Sequence, residues 1–543
     1  MYNYYEIFTD TPKYSVHFLS PTDLQTKLIE HGRDYFDILI DASKDTPNFF
    51  YSLPTQSYSL LLNICNTISC CKHGVSEIPK QKGIAAHFYG KLKEFNYLSE
   101  GKFLKKIVDK MQYTSALTKD EFIFDLACAS LGINTSSTHL KNYTSLIINE
   151  FLTNYVYHLN DITLNILPVE DVCMGIIYLL NSLRYNGLVI DGDSIAIFTP
   201  IFSPYLEIVT VQNYKLNPIL IQVENDGAIF DKELDKLKNP LVKALLAINP
   251  NNSTTMAVSL ITLEKVKQII NNFNPELLII EDNTYAPFSE NSEYFFNIIP
   301  ENTISLYSFS KYFGCGGMKL GTISIHKENI IDNLLLKKAP IDVHNRYKMH
   351  NKNPEEIKFV DRIRMDIHNV AFSHGNNLAS NQLILMSFFA SSAVITDNIY
   401  GQTIQNMLHS RQKRLLTALH LNQNIQTMGN NYYLNLNILL LAENLHGIDF
   451  REYIENCCEP FNMLFKLAQI YGIIVLPSIV FSGNWWSISI CLAALKDNEC
   501  AEIGHSLTDL LNTYYGNFQY LKNKIAEKAF QEFKRNKLCL LKD

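Results

Sequence analysis

The stretch Leu306-Tyr-Ser-Phe-Ser-Lys311-Tyr-Phe-Gly-Cys-Gly-Gly-Met-Lys-Leu-Gly321 decides how this chain is read. An apolar run ends in Ser308-Phe-Ser-Lys311, a glycine-rich loop follows, and apolar character resumes after Gly321. That order predicts a buried strand, a turn carrying a lysine, and a second strand. Glycines at 314, 316, 317 and 321 allow a tight turn and close approach of the backbone to a bound group. An amine held at a strand end is the kind of group that forms a Schiff base with a carbonyl compound. A solvated turn lysine has the same local sequence, so the stretch gains meaning only alongside others.

Two upstream stretches share its form. Ala244-Leu-Leu-Ala-Ile248 leads into Asn249-Pro-Asn-Asn252, and Leu277-Leu-Ile-Ile280 leads into Glu281-Asp-Asn-Thr-Tyr285. Each predicts a short buried strand that delivers polar groups at its carboxyl end, where open α/β sheets place their ligands. Helical spacing from Leu260 to Asn272 joins the two as a βαβ unit. In order, Asn249, Asp282, Tyr285 and Lys311 resemble the pyridoxal-phosphate (PLP) enzymes of the aspartate aminotransferase fold, fold type I. Tyr307-Ser-Phe-Ser-Lys-Tyr-Phe-Gly314, with Pro200-Ile-Phe-Ser-Pro-Tyr205 and with Phe359-Val-Asp-Arg362 ahead of His374, resembles the aspartate 4-decarboxylase branch. The resemblance runs from about residue 40 to about residue 515.

The resemblance implies an α/β fold with a mixed, mostly parallel sheet, helices on both of its faces, and a smaller α+β domain. The expected organisation is an N-terminal segment at 1–150 serving the small domain and entry loop, a PLP-binding domain at 151–395, a small domain at 396–520 and a basic tail at 521–543. Carried over residue by residue, Lys311 is the catalytic lysine and Asp282 partners the pyridine nitrogen. Asn249 and Tyr285 hold the ring's phenolic oxygen, Ser308 and Lys319 hold the phosphate, and Phe202 stacks on the ring. Phe202 suits a plain core position equally well. Implied with these are PLP as cofactor, a small amino acid as substrate, aminotransferase or aspartate 4-decarboxylase chemistry, and a homodimer or larger homo-oligomer.

The chain departs from the family pattern at its charged contacts. Val169-Glu170-Asp171 stands where the family carries a Gly-Gly-Thr phosphate turn. Lys319 replaces a phosphate arginine, Ser489 the arginine that clamps the substrate α-carboxylate, Ser43-Lys44 a Gly-Arg pair, and His368 a further arginine. Lysine keeps the charge of arginine but loses its fork of donors. These departures leave open a catalytically silent relative that acts by binding.

With 543 residues, 47% of them hydrophobic, the chain is long enough for two or more domains. A net charge of -7 argues against nucleic acid as the main partner. Met1-Tyr-Asn-Tyr-Tyr lacks a signal-peptide pattern and no apolar run reaches spanning length, so the expectation is a cytoplasmic protein with no membrane partner. Eleven cysteines without framework spacing read as free thiols. Cys65, Cys70, Cys71 and His73 lack the spacing of a zinc site, and no metal is expected.

Overall fold

A computed structural model describes residues 20–68, 71–72, 75–133, 138–159, 164–201, 203–210, 214–224, 227–252, 256–289, 292–338, 341–348, 351–371, 378–421, 430–481 and 483–539. The chain forms two compact units: one takes the segment ending at Asp45 and most of the chain from Leu408 onward, and the other takes Thr46–Met407.

The larger unit is built on a seven-stranded sheet. Its strands are β1 (Leu164–Val169), β2 (Ser194–Thr199), β3 (Asn217–Gln222), β4 (Val242–Ile248), β5 (Leu278–Asp282), β6 (Thr303–Ser308) and β7 (Gly321–His326). They lie in the order β1-β7-β6-β5-β4-β2-β3. All neighbours run parallel except β7, which is antiparallel to β1 on one side and to β6 on the other. Every residue of β2, β5 and β6 is buried. Continuous apolar runs of this kind are what a strand covered on both faces requires. The helix Leu260–Asn272 has the bounds its spacing predicts, and it sets Leu263 and Val266 against Leu245, Ala247 and Ile279 of the sheet.

Val169, expected in the phosphate turn, instead ends strand β1, and only Glu170 and Asp171 lie between that strand and the helix Val172–Tyr185. Pro168 hides the strand in the sequence, and it is accommodated because β1 is the outermost strand of the sheet. The N-terminal segment also divides differently from the expected 1–150 block. Helices Ser52–Ile68, Ser99–Ser115, Lys119–Ser130 and Thr138–Phe151 pack with one another and around the apolar helix Ser380–Ile395, all within the larger unit.

In the smaller unit, Pro21–Arg33 packs on the helix Pro460–Tyr471, and Ile40–Asp41 pairs in parallel with Ile473–Ile474. Ser487–Cys491 is the middle strand of a three-stranded antiparallel sheet, between Tyr433–Asn437 and Leu476–Pro477. The strand Tyr433–Asn437 stops at Asn437 although apolar residues continue to Leu441. The Asn437 side chain accepts the Leu440 amide at 3.1 Å and so starts the helix Ile438–His446. No break separates a tail at 521, because one helix runs from Asp497 to Cys539.

A buried polar network fixes the helix Val172–Tyr185 against the helix Phe359–Ala371. Arg362 has no exposed surface, and its guanidinium donates to the carbonyls of Ile357 and Pro354, to Asn186 Oδ1 at 2.8 Å, and pairs with His344 Nδ1. Asp366 accepts from Ser182 and Tyr347 and pairs with Arg346. Truncating Arg362 leaves several buried acceptors unsatisfied, each worth about 1–3 kcal/mol. Arg362→Ala is therefore expected to lose about 3–5 kcal/mol of stability in urea denaturation. Arg362→Lys should recover little of it, because an ammonium cannot reproduce the fork.

Candidate active site

Strand β5 ends in two adjacent buried carboxylates, Glu281 and Asp282, with 0% and 3% of their surfaces exposed. Successive residues of a strand face opposite sides of the sheet. Asp282 Oδ1 accepts the Thr284 amide at 2.9 Å and the Thr284 hydroxyl at 2.6 Å, and Oδ2 accepts the Tyr205 hydroxyl at 2.7 Å. Among the described residues it makes no ion pair. Burial pushes its carboxyl above the ordinary range, while the donors from Thr284 and Tyr205 oppose that shift. A buried carboxylate served by neutral donors alone is suited to receive a cationic group from a ligand.

Tyr205, at the end of the Pro200–Tyr205 stretch, is a site residue that the sequence pattern does not mark. It is buried in the helix Ser203–Thr210, and its hydroxyl is driven well above the usual phenol range by burial and by the Asp282 carboxylate. An apolar-looking helix position gives no signal that its hydroxyl meets a strand end. The motif Ser203-Pro-Tyr205 was the only pointer.

Glu281 faces the other way. Its carboxylate accepts Asn249 Nδ2 at 2.8 Å and the amides of Phe295 and Phe296 at 2.9 and 3.1 Å. Asn249 is thereby drawn to the Glu281 side of the sheet, and its Oδ1 also takes the Val258 amide at 3.0 Å. Asn249, expected to hold the ring's phenolic oxygen with Tyr285, instead has both ends of its side-chain amide engaged by the scaffold, at Glu281 and at the Val258 amide. Beyond it, Asn251 Nδ2 donates to the Pro200 carbonyl at 2.7 Å, which ties the ends of β4 and β2 together.

Strand β6, next to β5, ends at Ser308 and turns into the short helix Phe309–Tyr312, which carries Lys311. The Ser308 amide donates to Thr284 Oγ1 at 3.2 Å, so the two strand ends are joined directly. Ser308 Oγ caps the Ser310 amide and lies 2.8 Å from the Ser310 hydroxyl. Lys311 is half-buried. The neighbouring Tyr312 is anchored through its hydroxyl to Asn398 Oδ1 at 2.7 Å, and Tyr400 donates to the Tyr312 carbonyl. Tyr312 meets Phe288 edge-on, and Phe288 packs on Tyr285, so one aromatic wall links the Tyr285 turn to the lysine turn. Gly314 adopts φ 66°, and a Cβ there would fall 2.0 Å from the Phe49 carbonyl oxygen, which excludes other residues.

Gly321 opens β7 and pairs with Val169 of β1 and with Ser308 of β6. This register brings the end of β1, the Lys311 turn and the loop containing Lys319 to one edge of the site. Asp171 caps the helix Val172–Tyr185: its Oδ1 accepts the Val172 amide at 2.7 Å, and its Oδ2 lies 3.7 Å from Lys319 Nζ. Asp171 and Asp282 are close enough that both carboxylates raise the Cys173 thiol, which burial pushes up to about 12. Phe202 and His374 lie outside the described residues, as does the side chain of His368. In the smaller unit, Ser489 pairs across its sheet with Asn435 and Leu476, and Lys44 is exposed beside Asp41.

Residues 135–345 match the family model of aminotransferase class I and II. Over 518 residues the chain is 28% identical to the bifunctional aspartate aminotransferase and L-aspartate beta-decarboxylase of a Pseudomonas species, covering 93% of this chain and 98% of that protein. A shorter match, 32% over 140 residues, is to histidinol-phosphate aminotransferase 1 of Archaeoglobus fulgidus, covering 25% of this chain and 40% of that one. Among solved structures, the fold is shared with Bna3p, a kynurenine aminotransferase candidate of Saccharomyces cerevisiae (TM-score 0.56, 11% identity, 93% of this chain and 100% of that chain). It is shared equally with the cystalysin of Treponema denticola, a structure that contains PLP (TM-score 0.54, 13% identity, 94% and 98%). The expected fold type I architecture is therefore present.

Glu281 gives the site a pH signature. Burial raises its carboxyl from 4.5 to about 7, against the pull of Asn249 and the two amides. A raised folded-state value means that the native protein holds this proton more tightly than the unfolded chain. Its contribution is thus full below about pH 4.5 and lost as pH rises to about 7, a span worth about 3 kcal/mol. Urea denaturation at pH 5 and pH 7.5 should show wild type losing more stability over that interval than Glu281→Gln. Parallel losses in the two proteins would contradict the assignment.

Proposed function

We propose that this chain, a divergent relative of the bifunctional aspartate aminotransferase and β-decarboxylase over nearly its whole length, is a PLP-dependent enzyme acting on an amino acid. The observation that carries this reading is the buried Asp282, held by neutral donors at the end of β5 beside the strand that ends in the Lys311 turn. The donor set fits the cofactor at its ring. Asp282 meets no cation among the described residues, and a protonated ring nitrogen would complete it; Lys311 offers the amine, and Tyr285 stands on the same aromatic wall. At the phosphate, Ser308, Ser310 and Lys319 supply donors, with the amide end of the helix Val172–Tyr185 next to them.

When bound, PLP supplies an electrophilic carbon for the Lys311 amine and a protonated ring that takes up electrons released at the substrate's α-carbon. Everything else falls to the chain. Asp282 holds the ring proton in place, and Tyr205 and Thr284 fix the carboxylate so that it does not rotate away. With the cofactor and substrate bound, Lys311 Nζ would be the base that removes the proton from the substrate α-carbon and returns it. The covering of the strand ends by Tyr285, Phe288 and Tyr312, all buried, keeps bulk water from the ring. With aspartate as substrate, loss of the β-carboxylate and its replacement by a proton would give alanine and carbon dioxide; if instead the amino group and its electron pair stayed with the cofactor and water took the nitrogen's place, the keto acid would leave and half a transamination would be complete. The neutral Ser489 supports a substrate preference shifted from that of the Pseudomonas relative. A homodimer and a cytoplasmic location belong to the same reading; the free thiols among the described cysteines suit a reducing compartment. No single described helix is long and apolar enough to cross a membrane.

A second reading, a silent relative that binds without turnover, is favoured by the Asp171–Lys319 pair. One titration separates them. PLP added to the purified protein should give a visible absorption band that borohydride fixes and that Lys311→Ala lacks. With L-aspartate as the first substrate, Asp282→Asn should lower turnover by about a hundredfold or more while leaving the fixed band in place. A band in wild type without turnover of any amino acid, or no band at saturating PLP, would sink the enzyme reading and select the silent relative.

A further inference from the structure

The two acidic residues at the start of the helix Val172–Tyr185 are not equivalent. Glu170 Oε2 accepts the Tyr178 hydroxyl at 3.1 Å, two turns along the helix, and so leans away from the strand ends. Asp171 does the opposite. Its backbone passes 3.2 Å from where a Cβ on Gly321 would stand, in the register that also sets Gly321 against Ser308. One of its carboxylate oxygens takes the first helix amide and the other faces Lys319. Lys319 is held in a left-handed conformation at φ 54°, which lysine seldom adopts, and 62% of its side chain is exposed. Helix amide, lysine and the Ser308–Ser310 hydroxyls are the donors an anion needs, and an anion belonging to the chain itself already engages two of them.

We infer that Asp171 is an internal competitor for the cofactor's phosphate and sets how strongly this protein prefers phosphorylated over unphosphorylated pyridoxal. The inference rests on the PLP reading above, and it adds a residue that decides which form of the vitamin is retained. A phosphate dianion entering beside Lys319 must displace the Asp171 carboxylate from the lysine and the helix amide, or share them with a like charge at close range. Unphosphorylated pyridoxal meets no such conflict, because it presents to Asp171 only a neutral hydroxymethyl group. The protein should therefore discriminate between the two compounds less than a site with a neutral helix cap would.

The test compares wild type with Asp171→Ser and Asp171→Asn, both neutral residues that start helices well, with thermal melts confirming folding. PLP and pyridoxal are titrated separately, and binding is read from intrinsic fluorescence and the absorption band, not from turnover. Removing the charge should tighten PLP by about tenfold or more while changing pyridoxal by no more than about twofold. Inorganic phosphate should likewise compete with PLP more effectively in the variants than in wild type. Equal PLP affinity in all three proteins would overturn the role of Asp171 and leave the PLP reading standing. Equal tightening of both compounds would also overturn it, because the effect would not lie at the phosphate. Failure of all three proteins to bind either compound would overturn the PLP reading itself, and the inference with it.

Discussion

Burying two neighbouring carboxylates at the end of one central strand is the constraint on which the site depends. Taking a carboxylate out of water costs several kcal/mol unless hydrogen bonds or a counter-charge replace the lost hydration. The sheet solves this once on each face. Glu281 is answered by Asn249 and two backbone amides, which makes it part of the scaffold beneath the β4 and β5 ends. Asp282 is answered by Thr284 and Tyr205, neutral donors that leave its charge uncompensated. Both carboxylates are served by neutral donors alone. Asp282 is marked as the site by what adjoins it, because Thr284, which fixes its carboxylate, also takes the Ser308 amide at the start of the Lys311 turn.

The antiparallel strand β7 determines what surrounds that carboxylate. Because β7 lies between β1 and β6, a single residue, Gly321, is in register with the ends of both. The start of the helix Val172–Tyr185, the serine-lysine turn and Lys319 are thus gathered from segments far apart in sequence. Arg362 and Asp366 hold the carboxyl end of that helix through Asn186 and Ser182, while at its amide end the Asp171 backbone lies against Gly321.

Much of this arrangement can be read from the sequence, because apolar runs that end in polar groups mark buried parallel strands. Lys311 and Asp282 stand where that rule puts them, at the ends of adjacent strands. Asn249 does not follow, and the reason is parity: a strand end shows which residues leave the sheet but not which face each one takes. Tyr205 was hidden because a tyrosine at a helical position reads as core until its hydroxyl partner is known. Pro168 hid strand β1, and Asn437, a helix-starting residue, ended a strand that β-propensity alone would have prolonged. The helices between Ser52 and Phe151 join the larger unit by packing around Ser380–Ile395, a long-range contact with no local sequence signal. Phe202 and His374 fall outside the described residues.

The claim that joins these observations is that Asp282 and Lys311 flank one cofactor ring while Asp171 yields its place to the phosphate. A crystal structure of the protein treated with PLP and reduced with borohydride would test all of it at once. The expected result is density continuous with Lys311 Nζ, a ring nitrogen within hydrogen-bonding distance of Asp282, and the Asp171 carboxylate turned away from Lys319. Density attached to another lysine, or a ring that leaves Asp282 bonded only to Thr284 and Tyr205, would contradict it.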